Sequence, residues 1–161
     1  MRGPRWAVPA AAWATALGLG LACLLTRPAP DSDRALVDPA ATAAVNSAVD
    51  GALSRILSYT PQDTAATALA ARDLLSGTAS AQYQTLFADV RGQIGIQRLT
   101  VTTRVVHSGV LSLTGDQAQL LVFVNQTAQR QGGQPSTVTG QLSVTARLVD
   151  GRWRISDMTQ R

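Results

Sequence analysis

Two residue types are missing altogether: the 161-residue chain contains no lysine and no glutamate. Every cation is therefore arginine and every anion aspartate, and the net charge of +4 comes from 14 of the first and 10 of the second. Together with abundant alanine, this pattern reads as a biased coding alphabet. It does not read as a nucleic-acid footprint, because no arginine cluster and no aromatic-plus-basic module accompanies it. Cysteine and histidine occur once each, at Cys23 and His107. A single cysteine excludes a disulfide within the chain and a thiolate metal cluster. A zinc site would need aspartates as fellow ligands of His107, and no spacing suggests one. No metal and no cofactor is expected.

What the chain does have is a long apolar run. Residues 6–26, "WAVPAAAWATALGLGLACLLT", carry no charge, and as a helix they would reach roughly 30 Å, the thickness of a bilayer's hydrocarbon core. They are expected to form a single-pass anchor behind a short cytoplasmic tail, residues 1–5. Arg2 and Arg5 precede the run, and Trp6 sits where an interfacial aromatic belongs. The remainder of the chain is then expected outside the cytoplasm, in the cell envelope. A cleaved secretory signal fits less well, since "RPAPDS" after Thr26 makes a poor cleavage site. A lipoprotein signal would place a lipid on Cys23, but Gly20 stands where an aliphatic residue is usual. The small residues Ala10, Ala14, Gly18 and Ala22 recur every four positions, a stripe that alanine richness alone readily produces.

Residues 27–39, with Pro28, Pro30 and Pro39, read as a linker, and residues 40–161 as one α+β domain. Ala41, Val45, Val49, Leu53 and Ile56 share one face of a first helix. Pro61 in "SYTPQD" ends it. A second helix is expected from Asp63 to a C-cap at Gly77. A third starts near Thr78 or Ser80, carries Tyr83, Leu86, Phe87 and Val90 on its apolar face, and frays near Gly92 or Gly95. Beyond Leu99 the pattern changes to β-branched alternation. Turns at Gly115-Asp116 and Asp150-Gly151 divide the rest of the chain into an antiparallel meander of four strands. Three helices on such a sheet predict a cone-shaped domain with a curved sheet, a layout that resembles nuclear transport factor 2, scytalone dehydratase and ketosteroid isomerase.

The second turn pairs Leu148 with Trp153 and Ala146 with Ile155, which sets Arg147 directly against Arg154, a repulsive pair unless an anion joins them. The first turn places Leu120, Val122 and Val124 under the helices. Leu121 and Phe123 then fall on the opposite face with Val106 and Val110. Burying Leu121 and Phe123 against a partner would contribute about 3 to 6 kcal/mol before entropic costs. Enzymes with this layout place an acid or histidine and a tyrosine inside the cone, for which Tyr59, Tyr83, Asp89 and His107 are the candidates. No aspartate stands at a diagnostic spacing from His107, and the preferred reading is a packing tyrosine and a core-edge histidine, without catalysis. Asn125-Gln126-Thr127 matches a glycosylation acceptor formally, a match common by chance.

The blocks "ILSYTPQDTAATALAARDLLSGTASAQYQTLF", "GVLSLTGDQAQLLVFVNQT" and "VDGRWRISDMT", behind one anchor, resemble the Mce-associated membrane proteins, encoded with the Mce (mammalian cell entry) transporters. The loop "SYTPQD" departs from the family pattern, in which an acidic or aromatic residue comes after the tyrosine. The resemblance implies a tethered, non-enzymatic accessory subunit that supports a lipid- or sterol-importing complex through protein contacts, and it implies no catalytic residue. Leu121, Phe123, Val106, Val110, Arg147 and Arg154 are the candidate partner surface. The alternative is a cone that holds a lipid or sterol in a pocket lined by Tyr83, Phe87, His107 and Trp153, and an isomerase- or dehydratase-type enzyme comes third.

Overall fold

The computed structural model describes residues 33–161. The expected tail and anchor, most of the linker and Cys23 lie outside the described residues, as do the side chains of Asp89, Val90 and Gln93. Among the described residues no helix is long and apolar enough to cross a membrane.

Helix α1, Pro39–Ile56, starts where an aspartate and a proline coincide. The Asp38 carboxylate accepts the Ala41 N–H at 2.9 Å, and Pro39 occupies a first-turn position where its missing N–H costs nothing. Val45, Val49, Ala52, Leu53 and Ile56 form its buried stripe. Just before it, residues 33–38 are held to the domain. Asp33 accepts N–H groups of Leu113 at 2.8 Å and Ala35 at 3.0 Å, and Arg34 N–H donates to the Leu113 carbonyl at 2.8 Å. The two N–H donors favour the charged form of Asp33 and lower its pKa.

Helix α2, Thr64–Leu74, comes after the loop stopped by Pro61, and helix α3, Gly77–Gln97, starts almost at once. The expected C-cap at Gly77 is corrected: Leu75 and Ser76 are extended, and Gly77 opens α3. Leu75 bridges Ile155, and Ser76 N–H donates to the Ile155 carbonyl at 2.8 Å, so the chain touches the sheet between two helices. Gly77 has φ +52°, and a Cβ there would lie 3.3 Å from the Ser156 carbonyl. Only glycine meets both demands without strain. The expected fraying at Gly92 or Gly95 is likewise corrected, since α3 runs to Gln97 and ends on Arg98 in the left-handed region. Ile94, fully buried, secures the turns beyond those glycines.

The four strands are β1, Leu99–Thr114, β2, Gln117–Arg130, β3, Ser136–Val149, and β4, Arg152–Gln160. They pair antiparallel in the order β1-β2-β3-β4. The curved sheet of a cone is corrected here: the sheet is open, neither closed nor curled, with β1 and β4 as separate edges. Closure is one way to satisfy edge groups, and this chain uses others. Tyr59 bridges Val101 on the β1 edge, where Ser58 Oγ also accepts the Thr103 N–H at 2.8 Å. Asp33 and Arg34 serve the far end of β1, and Leu75 and Ser76 serve β4.

The turn at Asp150-Gly151 sets the expected register, Leu148 opposite Trp153, Arg147 opposite Arg154 and Ala146 opposite Ile155. On β1 two bulges intervene, between Val105 and His107 and between Val110 and Ser112. Each inserts one residue, Val106 and Leu111, and flips the side on which the residues after it lie. The expected placement of two residues is thereby corrected. Val110 pairs with Leu120 and packs against the core, and His107 pairs with Phe123 on the uncovered face.

Gly77→Ala is expected to destabilise by about 1 to 2 kcal/mol in urea unfolding, through its left-handed backbone. Gly92→Ala, where nothing lies within 4 Å of the added methyl, should stabilise by about 0.5 to 1 kcal/mol.

Candidate functional site

Because the three helices of the described residues lie on one side, none of them covers the sheet's other face. Along β2 the buried Ala118, Leu120, Val122 and Val124 alternate with the exposed Gln119 and the half-buried Leu121, Phe123 and Asn125. Leu121 stands between Gly109 and Ser143, and Phe123 between His107 and Gln141. Gly109 presents no side chain to Leu121 directly across the strands, and nothing lies within 4 Å of where its Cβ would be. Val106, thrust out by its bulge, is 58% exposed. Arg147 and Arg154 oppose each other nearer the turns, and among the described residues no carboxylate pairs with either. The Arg154 Nε–H is withdrawn from water without an acceptor. Of the six residues expected on the partner surface, Leu121, Phe123, Arg147 and Arg154 share this face, Val106 is exposed at the bulge, and Val110 lies under the helices.

On the helix side the cover is incomplete at the opposite end of the sheet from those turns. An open groove of about 890 Å³ lies between the end of α1, the first half of α3 and the sheet. Val124, Leu142 and Met158 form an apolar part of its floor, and Gly140, lacking a side chain, deepens it. Gln82, Thr85, Gln126, Thr159 and Gln160 supply neutral polar groups, and none of the described residues lining it is charged. Tyr59, Tyr83 and Phe87 gather at one wall, where Phe87 stacks on Tyr83 at 5.2 Å and meets Tyr59 edge-on at 6.4 Å. Such pairs contribute about 0.5 to 1.5 kcal/mol each beyond the area they bury. The Tyr83 hydroxyl is buried with no hydrogen-bond partner among the described residues, a state that costs about 1 to 3 kcal/mol. Desolvation, and secondly the neighbouring Tyr59 phenol, push its pKa up to about 12. Burial raises Tyr59 as well.

Of the four residues expected to line a pocket, Tyr83 and Phe87 line this groove, while His107 and Trp153 do not. His107 is exposed on the other face, and Trp153 packs against the core beside the β3–β4 turn. The candidate acid–base set is thus not assembled: His107 and Tyr83 lie on opposite sides of the sheet, and the Asp89 side chain lies outside the described residues. Among the described residues no group of three or more His, Cys or Asp side chains could hold a metal ion. Gly140, Leu142 and Met158 are not among the residues the sequence pattern places in a site. A glycine inside a strand is the available signal, since it marks a place where something approaches the backbone closely.

No protein-family model matches the chain. The outer membrane protein Rv1973 of Mycobacterium tuberculosis is 33% identical over 113 residues, which span 70% of each chain. The chain belongs to the family of that protein. An uncharacterized protein of the same organism, Rv1362c, is 34% identical over 122 residues, 74% of this chain and 55% of the relative, so the chain spans about half of that protein's length. Among solved structures, the periplasmic domain of DotI matches with a TM-score of 0.64 at 12% identity, over 74% of this chain and 94% of that one. VirB8 of Agrobacterium tumefaciens gives 0.60 at 13%, over 74% and 90%. A nuclear transport factor 2-like superfamily protein of Salmonella enterica gives 0.54 at 16%, over 74% and 92%. These likenesses establish a shared fold, of the nuclear transport factor 2-like kind.

Two outcomes are expected. The unfolded chain ionises Tyr83 near 10.0 and the folded chain near 12, so its contribution is complete below the first value and is lost as pH rises through the second. Tyr83→Phe should therefore flatten the alkaline decline in Tm between pH 10 and 12; an unchanged decline would assign it to other groups. Arg147→Glu, which sets a carboxylate opposite Arg154, should raise stability by about 0.5 to 1 kcal/mol in chemical denaturation.

Proposed function

We propose that this protein is a membrane-anchored, non-enzymatic accessory subunit that supports an Mce-type lipid- or sterol-importing complex by binding its other proteins. Residues 6–26 are the single-pass anchor in this reading, residues 1–5 the cytoplasmic tail, and 27–39 the linker. The folded part of residues 40–161 stands outside the cytoplasm. The resemblance of its sequence blocks to the Mce-associated proteins supports the assignment, as does kinship with a protein described as an outer membrane protein. The fold is shared with the periplasmic domain of DotI and with VirB8, consistent with a domain of the envelope.

The observation that carries the proposal is the bare sheet face. Leu121 and Phe123 stand there half-buried, on the same face as His107, Arg147 and Arg154, and no helix among the described residues crosses them. Apolar anchors within a polar and cationic rim are how a protein partner is held: the anchors contribute the affinity and the rim the orientation. Asp157, opposite Thr145, is on this face too but pairs with neither arginine among the described residues, so the rim stays net positive and favours an acidic partner surface.

In the full-length chain, Phe123→Asp should leave the fold and Tm near those of the wild type and abolish crosslinked co-purification with Mce proteins from membranes. Retained co-purification would remove this face as the contact. An unfolded variant would make Phe123 ordinary core.

A further inference from the structure

The groove under α3 has no part in the protein contact proposed above, and three of its features point the same way. Among the described residues its lining carries no charge. Its floor is apolar over Val124, Leu142 and Met158, and it is deepened at Gly140. One wall holds two phenols, of which Tyr83 is 8% exposed and has a hydroxyl without an acceptor among the described residues. The volume, about 890 Å³, falls in the range of small-molecule sites.

We infer that this groove binds an uncharged lipid with a single oxygen-bearing head, seated with that oxygen at Tyr83 and Tyr59 and its hydrocarbon body over Leu142 and Met158. An ionised head would enter a cleft whose described lining offers neutral groups and no counter-charge, which desolvation disfavours. A protein segment would bring charged flanks that nothing in the lining can pair. The Tyr83 hydroxyl is closed to water, so a carbonyl or hydroxyl oxygen becomes the acceptor it lacks once the ring turns toward the groove, and both phenols stay neutral donors at physiological pH. The hydrocarbon body covers apolar surface that the helices leave open.

Full-length protein in membranes is photolabelled with a diazirine-bearing monoacylglycerol, with a diazirine-bearing fatty acid as its charged counterpart, and the labelled peptides are mapped by mass spectrometry. The neutral probe is expected to label residues 81–87 and the strands at Leu142 and Met158, well above the fatty acid. Gly140→Leu, which fills the floor, should remove that labelling while leaving any label in residues 1–32 unchanged. Tyr83→Phe, which keeps the ring, should weaken it about five-fold, as expected for one neutral hydrogen bond. Label confined to residues 1–32, equal labelling by the fatty acid, or labelling indifferent to Gly140→Leu would overturn the inference. Labelling that falls as protein concentration rises would give the groove to a second copy of the chain, and would overturn it too.

Discussion

Along α1 the residues Val45, Val49, Leu53 and Ile56 fall on one stripe, and across from the helices Leu120, Val122 and Val144 fall on one face of the sheet, none more than 1% exposed. This contact fixes everything around it. A slip of β2 by one residue would turn Gln119, Leu121 and Phe123 inward and put amide groups into a dry interface without partners. The tight turns at Gly115 and Gly151, both at positive φ, hold the strands to that register from the ends. Helix position and strand register are therefore one constraint.

A sheet covered on one side has two exposures to manage, its bare face and its edges. The edges are handled by segments between helices, which would otherwise have no reason to touch the strands. Ser58 and Tyr59 dock on β1, Leu75 and Ser76 on β4, and the bulges at Val106 and Leu111 spoil the remaining run of β1 for further pairing. Each contact also fixes where a helix begins. Gly77 can start α3 only because Ser76 is already bound to Ile155, and that start sets the line along which Tyr83 and Phe87 meet Tyr59.

Much of this was legible because it rests on period. The stripe of α1, both tight turns, the opposition of Arg147 to Arg154 and the split of β2 into covered and bare residues come from spacings of 3.6 and 2. The failures lie where one residue breaks a period. No composition signal marked Val106 or Leu111 as inserted, so Val110 and His107 were expected on the wrong sides. Gly77 stands after an apolar helical run, as a C-cap does, and only the contact with Ser156 gives its left-handed backbone another purpose. Sheet curvature had no local signature at all. The groove was half legible: Tyr83 and Phe87 stood at helical spacing, but its floor depends on where α3 leaves the sheet, which is a tertiary fact.

The two surfaces left over differ in character, and one strand builds both. On β2, Phe123 belongs to the bare face and Val124 to the groove. Adjacent residues of a strand lie on opposite sides, so the backbone joins the surfaces while their side chains stay apart. Charge is divided in the same way, with Arg147, Arg154 and Asp157 on the bare side and, among the described residues, none in the groove lining. Arginine suits such an unpaired position better than lysine would, because its delocalised charge is more weakly hydrated and loses less when Arg154 is partly withdrawn from water. The Arg154 Nε–H and the Tyr83 hydroxyl then pose the same physical problem on the two sides. Each is a buried donor without an acceptor among the described residues, beside a surface that the described helices leave uncovered. An anionic group would satisfy the first and a neutral oxygen the second, so under the two proposals the sheet would separate the acceptors by the side from which each arrives.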